Sequence, residues 1–235
     1  MNPSDAARAV VAERHPEARA AFLGGSVLTA RRTAHSDLDI VVLLPDGDPR
    51  VYRDSFRHEP WPVEMFVHTE ASWHGYVDRE LAQRRSPLLF MCAEGELLLD
   101  RDGSGALLAA EAARLVAAGP PPVTAEELEA ERYRLTDLLD DLAGCTDPGE
   151  RLCVATDIAR ETGRLLLLTH GAWLGGGKWL ARRTDAVRPG FSGQLAQAVG
   201  EALGGRTDAL VALADEVLAP AGGRFWAGFR RGGRA

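Results

Sequence analysis

Apolar positions along this chain follow two rhythms, and the rhythm changes once. Up to residue 118, short apolar runs of strand length at 20–23, 38–44, 62–68 and 96–99 alternate with helically spaced stretches at 4–14, 70–84 and 104–118. Beyond it, apolar residues recur only at three- and four-residue intervals. Between the two lies Gly119-Pro120-Pro121-Pro122, a run that can neither continue a helix nor pair inside a sheet. The pattern predicts an α+β chain in two domains: 1–118 with a small mixed sheet flanked by helices, and 123–235 as a helical bundle.

Local signals mark the helices of the second half. Thr124 and Glu127 have the spacing of a capping box, and Leu128, Leu135, Leu138, Leu139 and Leu142 then return to one face. Asp147 stands before Pro148 and Glu150 as the cap of a helix that should run to about His170, where Gly171 stops it. Shorter helices are expected at 175–184, 192–203 and 208–218. Trp173 and Trp179 read as buried packing, and Phe225, Trp226 and Phe229 as the anchor of the last segment.

Chemistry concentrates in residues 24–43, which begin Gly24-Gly25-Ser26 and pass through Ser36-Asp37-Leu38-Asp39-Ile40. Strand side chains alternate faces, so Asp37 and Asp39 project to one side and Leu38 and Ile40 to the other. Two neighbouring carboxylates repel unless a cation lies between them, and hard oxygen donors at that spacing suit Mg²⁺. Gly24-Gly25-Ser26 follows a short strand, where glycine lets the backbone approach an anion and the serine hydroxyl can donate to it. In 62–68, Glu64 shares a face with Phe66 and His68 and is an acid in an otherwise apolar run. Three carboxylates can hold two metal ions, as in-line phosphoryl or nucleotidyl displacement requires.

At these residues the sequence resembles the polymerase-beta-like nucleotidyltransferase superfamily, whose signature is Gly-Ser, ten residues, Asp-x-Asp, and a third acid on a later strand. Gly25-Ser26, Asp37, Asp39 and Glu64 stand at that spacing and in that order. The helical second half is similar to that of the antibiotic-modifying, aminoglycoside-type nucleotidyltransferases, and Gly177-Lys178 resembles their triphosphate-reaching Gly-Lys. Two positions depart from the pattern: Ala30 stands where a glycine is common, and Glu64 where many relatives carry Asp, although the streptomycin-type enzymes use Glu as the base. The resemblance implies a metal-dependent enzyme that moves a nucleoside monophosphate, with AMP from ATP expected, onto a hydroxyl of a small polar acceptor such as an aminoglycoside-like antibiotic. Asp37, Asp39 and Glu64 would hold two Mg²⁺ ions, Glu64 would also take the acceptor proton, and Gly25, Ser26 and Lys178 would hold the phosphates. Two other readings are a protein-modifying nucleotidyltransferase that silences a toxin partner, and a regulator that binds nucleotide without turnover.

Other motifs add less. Gly175-Gly176-Gly177-Lys178 is not a P-loop, because the first required glycine is Ala172 and Trp179 follows the lysine. Arg164 to His170 fits the loose R-x5-H pattern of HEPN ribonucleases, which a helix-terminal histidine explains equally well. Asp157 and Glu161 lie one helical turn apart and could bind substrate amines, or pair with Arg160 and Arg164. Arg31 and His35, inside the signature loop, could touch phosphate or water.

Composition narrows the partners. With 27 basic and 34 acidic residues, a net charge of −7 and a pI near 5.4, the surface repels long nucleic acid and favours cationic small molecules. Cys92, Cys145 and Cys153 form no paired motif, which fits buried thiols in a reducing compartment. No apolar run approaches a membrane span, and the start of the chain lacks a basic-then-apolar leader, so a cytoplasmic location is expected. The sequence leaves the oligomeric state open.

Overall fold

The computed structural model describes residues 2–231 and is α+β. It divides at Gly119/Pro120 into two compact units. In the first, helix α1 (Pro3–Arg14) precedes strands β1 (Ala20–Gly24), β2 (Leu38–Leu43), β3 (Tyr52–His58) and β4 (Trp61–His68). Helices α2 (Glu70–Ala82) and α3 (Pro87–Glu94), strand β5 (Glu96–Asp100) and helix α4 (Ser104–Ala118) complete it.

The five strands form one mixed sheet in the order β3-β4-β2-β1-β5. β2 and β4 run parallel, whereas β1–β2, β1–β5 and β3–β4 are antiparallel. Alternation sorts the side chains between two faces. Ala21, Leu23, Leu38, Ile40, Val42, Val63, Met65 and Val67 pack against Ala6, Ala7, Val10 and Val11 of α1. The opposite face, with Phe22, Val41 and Leu43 buried, is covered by α2, α3 and α4. Each end of α1 is set locally: the Asn2 side chain accepts from the Asp5 amide at 2.8 Å, and the helix stops before Pro16.

Two elements of this unit lie outside the sequence expectation. β3 is largely exposed and polar, so no apolar alternation marks it; it is an edge strand whose single partner is β4. α3 is a continuous apolar run, Pro87 to Cys92, too uniform to show a helical period, and Pro87 at its first turn starts it.

The second unit consists, among the described residues, of helices α5 (Ala125–Gly144), α6 (Pro148–Thr169), α7 (Lys178–Val187), α8 (Phe191–Leu203) and α9 (Asp208–Leu218) with a short terminal turn. Thr124 and Glu127 form a reciprocal cap, and Asp147 accepts from the Gly149 and Glu150 amides. α6 is central, contacting α5, α7, α8 and α9. Leu135, Leu139, Leu142, Ile158, Leu165, Phe191, Leu210 and Val217 make its core. α7 begins three residues later than the sequence pattern indicates, because Gly175-Gly176-Gly177 precedes it in irregular and turn conformations. Trp173 is buried, but Trp179 is 41% exposed, with Arg182 and Arg183 against its ring. The last segment is anchored by aromatics: Tyr133 stacks on Trp226 and Phe229, and the Phe225 amide donates to Thr136 at 2.9 Å.

Of the three cysteines, Cys92 alone is buried, and burial pushes its thiol up to about 12. Cys145 is partly exposed and Cys153 exposed, so the reading of all three as buried thiols is corrected: both flank or lie on outer turns of α5 and α6. No helix among the described residues is long and apolar enough to cross a membrane.

His68 closes β4 in a buried position, with Nδ1 3.2 Å from Ser72 Oγ and the ring edge-on to Tyr76. Burial lowers its pKa from 6.5 to about 4. The unfolded chain therefore binds a proton that the folded chain refuses, so this histidine's contribution is complete above pH 6.5 and is lost as pH falls towards 4. Chemical denaturation between pH 7 and 4 should show wild type losing up to about 3 kcal/mol more than His68→Gln. Equal losses would place the pH sensitivity elsewhere.

Candidate active site

β1 ends at Gly24 and Gly25 follows it, and both are glycine because of what lies beside them. A Cβ on Gly24 would meet Met91 Cγ at 2.7 Å, so the side-chain-free backbone is what lets α3 press against the strand. Gly25 has φ +83°, and a Cβ there would lie 2.1 Å from Asp39 Oδ2. The bare glycine thus leaves the space that the Asp39 carboxylate fills.

From Gly25 the chain enters a single 3₁₀ turn, Ser26–Leu28, and then a loop held together by hydroxyls. Ser26 Oγ lies 3.1 Å from Ser36 Oγ, and Ser36 Oγ accepts from the Thr33 amide at 3.0 Å. Thr29 Oγ1 donates to the Ser26 carbonyl and accepts from the Arg31 amide, and Thr33 Oγ1 accepts from the His35 amide. The loop thereby returns to β2 with Asp37 immediately after the buried Ser36. Arg31, Arg32 and His35 are exposed on it.

The carboxylates meet through strand register. Asp39 on β2 is directly beside Glu64 on the parallel strand β4, and Asp37 precedes Asp39 by two positions on the same face. One oxygen of each of Asp37, Asp39 and Glu64 lies within 4.8 Å of the others, and all three residues are half-buried. Their strand neighbours Leu38, Ile40, Val63 and Met65 are buried on the opposite face, which fixes the acids' direction. A set of three hard oxygen donors this close together fits a divalent cation such as Mg²⁺ or Mn²⁺.

The register also brings in a residue that sequence reasoning missed. Arg53 on β3 faces Phe66, and its Nη2 donates to Glu64 Oε2 at 2.6 Å while the guanidinium lies 4.8 Å from the Phe66 ring centre. The alternation Tyr52, Asp54, Phe56 against Arg53, Ser55, Arg57 was a weak signal of this strand. Its exposed, charged character hid it. An open cleft of about 710 Å³ lies where the 25–37 loop meets the β3–β4 turn, lined by Arg32, Thr33, Ala34, Ser36, Pro60, Trp61 and Pro62. The Arg32 guanidinium lies over the Trp61 ring at 4.9 Å.

The remaining sequence candidates belong to the helical unit. Lys178 is exposed at the first position of α7, after Gly177 in a positive-φ conformation. Asp157 is half exposed and pairs with Arg160 at 3.2 Å. Glu161 is only 3% exposed, bound to Arg160 at 2.8 Å and Arg134 at 3.4 Å. Arg134 and Arg164 also hold the buried Glu131, at 2.9 and 3.2 Å. His170 closes α6 with Nδ1 2.8 Å from the Leu166 carbonyl, a bond within its own helix end.

Gly25→Ala should disturb the acids more than the fold. The new methyl must displace Asp39 and tolerate a positive φ, a strain on the order of 1–3 kcal/mol. Mn²⁺ affinity, read by titration, should fall at least about tenfold with circular dichroism unchanged. Unaltered Mn²⁺ binding would show that the space at Gly25 is not needed by the acids.

No protein-family model matches this sequence, and no curated protein matches it. Among solved structures, a nucleotidyltransferase-like protein from Exiguobacterium sibiricum is similar, at 14% identity and a TM-score of 0.46, over 93% of this chain and 77% of that one.

Proposed function

We propose that this protein transfers a nucleoside monophosphate from an NTP, with ATP the expected donor, to a hydroxyl of a small polar acceptor and releases pyrophosphate. The observation that carries the reading is the clustering of Asp37, Asp39 and Glu64 within 4.8 Å beside the Gly25-Ser26 turn, whose glycine has room for nothing larger. The signature resemblance at these residues supports it. Asp37, Asp39 and Glu64 are the residues that would hold divalent ions, two in number by the chemistry of in-line displacement. Bound there, such ions would neutralise charge on the attacking and leaving oxygens.

The chain's own groups then have separate tasks. The Gly25 backbone and the Ser26 hydroxyl orient the triphosphate, and Lys178 is assigned to its β and γ phosphates. Glu64 takes the proton from the acceptor hydroxyl as the oxygen attacks the α-phosphorus, and pyrophosphate leaves on the far side. The open cleft lined by Thr33, Ser36 and Pro62 is where we would seek the bound ligand. Glu161 offers little to a polyamine, because it is buried with Arg160 and Arg134, while Asp157 stays half-exposed beside Arg160. Aminoglycosides are therefore one arm of the acceptor screen, alongside lincosamides and a protein partner.

Pyrophosphate release, measured with each NTP and Mg²⁺ across that panel, tests the reading. Asp37→Asn and Asp39→Asn should abolish turnover at an equal or higher melting temperature, since each removes a donor and relieves like-charge repulsion. Near wild-type turnover in either would overturn the assignment. Glu64→Gln should still bind nucleotide while transfer drops by roughly 10²- to 10⁴-fold, the usual worth of a positioned base.

Lys178→Ala separates the phosphates. Calorimetric titration should show ATP binding weakened about tenfold or more and AMP binding little changed, because the ammonium has no partner once β and γ phosphates are absent. Equal losses for ATP and AMP would return Lys178 to the solvated surface.

A further inference from the structure

We propose that Arg53 makes cation binding at the three carboxylates depend on the arrival of a polyphosphate. The inference rests on the reading of Asp37, Asp39 and Glu64 as a divalent-metal site. Arg53 sits on the edge strand β3, and its Nη2 donates to Glu64 Oε2 at 2.6 Å, the distance of a strong charge-assisted hydrogen bond. A cation that arrives alone must compete with this guanidinium for the Glu64 oxygen. It also meets a Glu64 carboxylate whose charge Arg53 has partly cancelled. Both effects weaken its binding.

A nucleoside triphosphate reverses the balance. It brings several negative charges to the same face, and a planar guanidinium matches phosphate oxygens at least as well as it matches one carboxylate. Arg53 is able to change partners. Its side chain is 59% exposed, so little is packed around it, and its guanidinium lies on the Phe66 ring at 4.8 Å, which keeps it at the site once Glu64 is released. Glu64 then becomes available to the cation when the anion is present. Arg53 is in this account a positioning residue: it acts through Glu64 in the resting protein and on the polyphosphate afterwards.

The test uses the full chain and Mn²⁺, with free ion counted by electron paramagnetic resonance, in the absence and presence of saturating α,β-methylene-ATP. Arg53→Met keeps an unbranched stem over Phe66 and removes the charge. Alone, Mn²⁺ should bind this variant about 3- to 30-fold more tightly than wild type, the range expected for removing one nearby positive charge in a partly exposed setting. The factor by which nucleotide tightens Mn²⁺ binding should shrink by a similar amount, and Mn²⁺ should tighten nucleotide binding by that same reduced factor, as thermodynamic linkage requires. Arg53→Lys, which keeps charge without the flat fork, should fall between the two. Unchanged or weaker Mn²⁺ binding in Arg53→Met, or a full nucleotide effect, overturns the proposal. Arg53→Gln carries the same comparison should the methionine variant not fold. If no saturable Mn²⁺ binding sensitive to Asp37→Asn occurs in wild type or variant, the metal reading itself fails. Binding that is present but indifferent to residue 53 sinks this inference alone.

Discussion

Mutual repulsion among Asp37, Asp39 and Glu64 is the constraint around which the first unit is arranged. Three carboxylates with oxygens within 4.8 Å of each other would separate if their backbones allowed it. They are held by the parallel pairing of β2 with β4, which places Asp39 beside Glu64, and by the apolar residues that alternate with them. A slip of one residue in this pairing would turn Glu64 into the α1 core and send Val63 or Met65 outward. Burial of those neighbours against α1 therefore stabilises an arrangement the acids alone would oppose. The surroundings complete the accommodation: Gly25 leaves space for Asp39, and Arg53 supplies positive charge to Glu64.

What the sequence revealed and what it concealed divide along the range of the interactions. Asp37 and Asp39 share a face because of strand alternation, and the caps at Thr124 and Asp147 act over three residues, so both were legible. Glu64 was legible from its apolar flanks. The partners of these residues were not. Arg53 meets Glu64 across a strand pair, and β3 shows too little apolar alternation to be recognised as a strand. Arg134, on the preceding helix, is a partner of the buried Glu161 that local spacing could not show, since spacing pointed only to Arg160 and Arg164. α3 was missed for the opposite reason, being apolar at every position through Cys92.

Both units contain acids in close quarters, yet they solve the problem differently. In the helical unit, Glu131 and Glu161 are almost fully buried and share Arg134, with Arg160 and Arg164 completing the set. Each of these two carboxylates has two guanidinium partners, the condition under which buried charge is tolerated, and only the loss of both would leave an uncompensated ion between α5 and α6. At Asp37, Asp39 and Glu64, one guanidinium contacts Glu64 and the acids remain half-exposed. The first cluster is built to persist. The second is half-exposed, where a visitor can reach it.

The position of β3 at the sheet margin has a further consequence. An outermost strand presents a row of backbone donors and acceptors that another chain could extend, the usual route to sheet-to-sheet association. Here Arg53, Asp54 and Arg57 lie along that row, so a second copy approaching in register would bring like charges together or have to bury them. The arginine that partners Glu64 thus stands on a strand whose charge also opposes pairing with another chain, and the polar character that concealed β3 in the sequence is what makes that edge a poor template.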